Sequence, residues 1–171
     1  MPFHYLAKTL AVYLAFCATP PAAPQPSSTA RLTWDEFEVG LFQWIGHHPD
    51  VFPRGAVVSA HFPVLDLYAP TGLSIYHGDD SAKNAAFIQG LPKSIAGSSV
   101  NTLRPTLKEA IEMIPSFRAQ KQTLLASKQY TAFVITYPDW DRCKAQNDAI
   151  AELRKHSQEI GVRILEVSLR P

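Results

Sequence analysis

The chain has 171 residues, 46% of them apolar, with 16 basic and 15 acidic side chains. That length and apolar content suit one domain with a buried core. The near-neutral balance leaves no basic stripe of the kind a nucleic-acid binder carries, which excludes that class.

Residues 1–23 read as an export signal: Lys8 precedes an apolar run over 10–18. The run is far shorter than the roughly 20 residues that cross a membrane. Within it, Leu14-Ala15-Phe16-Cys17 resembles a lipobox, although Phe16 stands where a small residue is wanted. A lipid anchor on Cys17 and an uncleaved N-terminal anchor are the alternatives to a cleaved signal. These are the membrane contacts the sequence supports, and the expected location is periplasmic or secreted. Without its signal the chain keeps one cysteine, Cys143, and so has no internal disulfide framework.

Proline, alanine and serine dominate residues 20–30, giving an expected flexible linker over 24–31 and a single domain over 32–171. Thr33 and Glu36 have the spacing of a capping box. Trp34, Phe37, Leu41, Trp44 and Ile45 follow at helical spacing, up to Gly46. His47 and His48 lie in the next loop. Adjacent histidines rarely point at one ion, and no third ligand stands near them in sequence, so neither a metal nor another cofactor is expected. His61 and His77 could approach them only through the fold.

Residues 62–77 form the clearest hairpin, alternating around Leu65 and Leu67 and turning at Ala69-Pro70-Thr71-Gly72. A short helix is expected over 81–89, before Gly90 and Pro92. Helical spacing returns over 104–127, where Leu107, Ala110, Ile111, Ile114, Phe117, Leu124 and Leu125 share a face. Pro115 lies inside that run and lacks the N–H a helix would use, so a kink or two abutting helices are expected there.

The chain then gives a strand over 131–137, a helix from Trp140 to Ile160 and a strand over 162–169. The first strand is apolar on both faces, as a strand buried on two sides should be. Asp139 is the expected N-cap and Gly161 the expected C-terminal stop. Such a βαβ unit has parallel strands. Cys143 falls in the first helical turn, where the helix's partial positive charge favours a thiolate.

Two stretches, Phe133 through Gln146 and Pro63 through Gly72, resemble parts of the thioredoxin family. The first resembles its opening strand and active-site helix. The second resembles its hairpin, with Pro63 where the family places a cis-proline. Here the hairpin precedes the βαβ unit, so the resemblance implies a circular permutation over about half the chain. The implied fold is α/β: a thioredoxin-like mixed sheet of about four strands, flanked by helices. Its implied strand order is the hairpin's return strand, the Pro63 strand, 131–137, then 162–169.

The family's redox motif is Cys-x-x-Cys. Cys143 matches the second cysteine, leaving Trp140 or Asp141 at the first. With the attacking thiol absent, dithiol cycling within one molecule is excluded. The expected function is an exported, redox-inactive module that binds another envelope or secreted protein through Trp140, Asp139 and Pro63. The alternative is a thiol-disulfide enzyme with Cys143 as its catalytic residue, acting through mixed disulfides. Cys-His hydrolysis pairing His61 with Cys143 is a third reading, for which no local signature speaks.

Overall fold

The structure, a computed structural model, describes residues 27–47, 49 and 61–170. The expected signal, Cys17, His48 and residues 24–26 of the expected linker lie outside the described residues. No helix among the described residues is long and apolar enough to cross a membrane.

Five strands form one mixed sheet, in the order β1-β5-β4-β2-β3. They are β1 (Ser28–Thr33), β2 (Val64–Tyr68), β3 (Ser74–Gly78), β4 (Tyr130–Thr136) and β5 (Val162–Arg170). β1, β5 and β4 run parallel, β2 lies antiparallel to β4, and β3 closes the hairpin against β2. The adjacency expected of the last four strands is therefore present. The expected strand count is corrected from about four to five. Ser28 to Thr33, placed by sequence in the spacer and the helix cap, form an edge strand on β5 instead.

Strand alternation sends apolar side chains to both faces and produces two cores. On one face Phe133, Ile135, Leu165, Val167 and Leu169 meet α1 (Trp34–His47) and three short helices. These are α4 (Leu107–Met113), α5 (Pro115–Arg118) and α6 (Lys121–Ala126). On the other face Ala132, Val134, Val162 and Ile164 meet α2 (Ser81–Gln89) and α7 (Lys144–Ile160). A further one-turn helix, α3 (Lys93–Ala96), follows α2 and was not anticipated.

Local chemistry explains most helix limits. Thr33 N–H donates to Glu36 Oε2 at 2.8 Å and Glu36 N–H donates to Thr33 Oγ1 at 3.3 Å, so the expected box is formed. Thr106 and Glu109 build a second one at the start of α4. Pro115 opens α5 as its first residue, and the stretch that sequence read as one kinked helix or two is three. Gly161, at φ +72°, ends α7 in the left-handed region that a side chain disfavours.

One residue departs from its expected role. Asp139 does not cap α7. Trp140 N–H donates to the Tyr137 carbonyl at 3.2 Å, closing a turn with Pro138 and Asp139 at its centre. A 3-10 turn over Asp141–Cys143 follows, and Cys143 is the residue from which α7 departs. Proline at the second turn position fixes this geometry before the helix can begin.

Candidate aromatic cleft at the strand ends

The carboxyl ends of β1, β5 and β4 and the start of β2 meet at one edge of the sheet. In open α/β sheets ligands bind outside this end of the parallel strands. Each strand delivers one apolar side chain there: Trp34 just past β1, Leu169 in β5, Tyr137 just past β4, and Phe62 ahead of β2. The Tyr137–Trp140 turn adds Pro138, Asp139 and Trp140, enclosing a cleft of about 530 Å³.

The rings pack edge to face. Trp34 and Phe62 lie 5.5 Å apart at 88°, Phe62 and Tyr137 5.6 Å apart at 87°, and Tyr137 and Trp140 5.3 Å apart at 72°. Aromatic rings favour this offset arrangement because ring edges are positive and faces negative. Phe37, buried in α1, supports Phe62 from below at 5.9 Å. Trp140 remains 45% exposed, at the outer end of the row. Arg142 places its guanidinium carbon 5.6 Å from the Trp140 ring centroid. Burial raises the pKa of the Tyr137 phenol, with a smaller contribution from Cys143, so the hydroxyl stays neutral at physiological pH.

Of the residues singled out by sequence, Trp140 and Asp139 line the cleft. Cys143 and Pro63 do not. Cys143 is completely buried, and Pro63 is buried behind Phe62. The Phe62–Pro63 peptide bond is cis. Gln146, three residues after Cys143, ties α7 to β2: its Nε2 donates to the Val64 carbonyl at 3.4 Å. Its Oε1 accepts from Asn84 Nδ2 at 2.5 Å, and Tyr76 O–H donates to Asn84 Oδ1 at 2.9 Å. This buried chain fixes the start of β2 against the first turn of α7 and leaves the Gln146 side chain satisfied on both ends.

Sequence reasoning missed Trp34, Phe62 and Leu169 as cleft walls. Trp34 lay on the α1 stripe and was read as core. The usable signal for Phe62 was its place directly before Pro63, at the mouth of a strand.

His61 lines a different cavity, on the α1 side of the sheet, together with His77 and Asp66. His77 Nδ1 and Asp66 Oδ1 are 2.8 Å apart. Among the described residues no group of three His, Cys, Asp or Glu side chains is placed to hold a metal ion.

Comparison of the chain with protein-family models, curated proteins and solved structures gives no match to any of the three.

Proposed function

We propose that this chain is an exported, redox-inactive thioredoxin-like module that binds another envelope or secreted protein through the aromatic cleft. The observation that carries the reading is the pairing of an open, apolar, aromatic cleft with a fully buried thiol behind it. A surface that keeps Trp140 in water costs solvation unless something covers it, and aromatic side chains of this kind anchor protein interfaces. The thioredoxin-like part is supported by the central position of β4 and by the antiparallel hairpin beside it. Taken without the edge strand β1, the strands read in the family's order are β4, β5, β2 and β3, a rotation of their order in this chain as a circular permutation requires; β1, ahead of the hairpin, is outside that rotation. In this reading Pro63 shapes the wall that Phe62 presents, and Trp140 and Asp139 meet the partner.

The mixed-disulfide alternative needs Cys143 Sγ to meet a second sulfur, and its burial stands against that. Recovery of a partner from envelope extract, compared between variants, tests both readings. Recovery is expected to be lost in Trp140→Ala and retained in Cys143→Ala, with and without reductant. Recovery that disappears with Cys143→Ala or on reduction overturns the binding-module reading in favour of thiol exchange.

A further inference from the structure

The charge around the cleft narrows the partner's chemistry, on the assumption that the binding-module reading holds. Trp34, Phe62, Tyr137 and Trp140 line the cleft, and the faces of aromatic rings carry the negative lobe of the quadrupole. Asp139 stands exposed on the wall and forms no ion pair or hydrogen bond among the described residues, and Asp141 beside it forms no ion pair either. The neighbouring cations are engaged: Lys144 is paired with Asp148 at 2.6 Å, and Arg142 lies over Trp140. That last contact shows a guanidinium resting on this aromatic surface already.

A wholly apolar occupant would strip water from the Asp139 carboxylate without replacing it, which is costly. A cation on a long apolar stem would fill the cleft and meet the carboxylate together. Arginine fits better than lysine, because its planar, weakly hydrated guanidinium stacks on rings and bonds a carboxylate through two N–H groups. We propose that the cleft receives an arginine side chain of the partner protein, the stem against Phe62 and Leu169 and the guanidinium between the Trp140 ring and Asp139.

The probe is the blocked tripeptide acetyl-Gly-Arg-Gly-amide, followed on ¹⁵N-labelled protein. The three tryptophans each give one indole N–H signal. Trp44, buried between α1 and α4, serves as internal reference. Saturable shifts of the Trp34 and Trp140 signals are expected, with Trp44 unmoved. Binding should weaken about three- to fivefold in Asp139→Asn, the size of an exposed ion pair. It should vanish when citrulline, neutral and nearly the same shape, replaces arginine. Equal shifts with the citrulline or leucine tripeptide, unchanged binding in Asp139→Asn, or no saturable shift each overturn the proposal. The two readings fail separately. Trp140-dependent partner recovery without arginine-peptide binding removes only the arginine specificity. Arginine-peptide binding without any Trp140-dependent partner removes the protein-binding role and leaves a guanidinium site.

Discussion

Arg163 is 2% exposed, and its Nε donates to Thr131 Oγ1 at 2.9 Å, while Nη1 and Nη2 have no acceptor among the described residues. Burial pulls its pKa down to about 10, which still leaves it charged at neutral pH. A buried cation without a carboxylate loses its hydration and recovers little in exchange. Arg163→Met, with similar reach and no charge, is therefore expected to stabilise the fold by about 1–3 kcal/mol in urea denaturation. A fall in stability would mean that the guanidinium has a partner in solution. Tyr68 makes the opposite kind of prediction. Burial first, then Asp66, pushes its pKa well above the ordinary tyrosine value. The folded state thus holds the proton that the unfolded chain releases at about pH 10. The resulting stability is fully present below that pH and drains away as pH climbs towards the folded value. Tyr68→Phe should flatten this alkaline loss, measured by denaturation at pH 9 and at successively higher pH. At this scale the sequence placed Trp140 at an exposed lip and Cys143 on an apolar stripe, and the structure leaves Trp140 exposed and buries Cys143. It misassigned Asp139, because a cap and a turn position draw on the same residue types.

Between elements, α1 and α4 approach closely, backbone to backbone. Gly40 on α1 faces the Met113 backbone, and a Cβ there would drive into the Met113 carbonyl oxygen. Glycine inside a helix ordinarily costs about 0.5–1 kcal/mol relative to alanine. Here the gain from alanine is outweighed, since backbone must move to admit the methyl group. Gly40→Ala should lower stability by about 1–3 kcal/mol, whereas Gly46→Ala, with open space around it, should not. Thermal unfolding of the two variants side by side decides the point. Helix content was legible because its signals are local: the Thr33 box, the Pro115 break and Gly161 act within a few residues. The apolar face read from Leu107 to Leu125 is the face that packs on the sheet.

For the whole molecule, β1 is the element on which closure depends. It covers the edge of β5 over six register pairs and carries Ala30 and Leu32 into the core. A chain shortened to begin at residue 34 should lose cooperative unfolding or associate through the bared β5 edge. Calorimetry and light scattering of that chain check this, and a shortened chain with unchanged melting would show β1 to be dispensable. Sequence by itself determined the hairpin, the βαβ unit, the two-sided burial of β4 and the faces of the long helices. Each rests on periodicity or on a short-range signal. It could not determine β1, because Ser28-Thr29-Ala30-Arg31-Leu32-Thr33 offers only two apolar residues and draws its extended state from β5. Nor could it assemble the cleft. Trp34, Phe62, Tyr137, Trp140 and Leu169 come from four separate places in the chain, and all but Trp140 read alone as ordinary core. Only the parallel alignment of strand ends, a consequence of long-range pairing, brings them to one open edge beside Asp139.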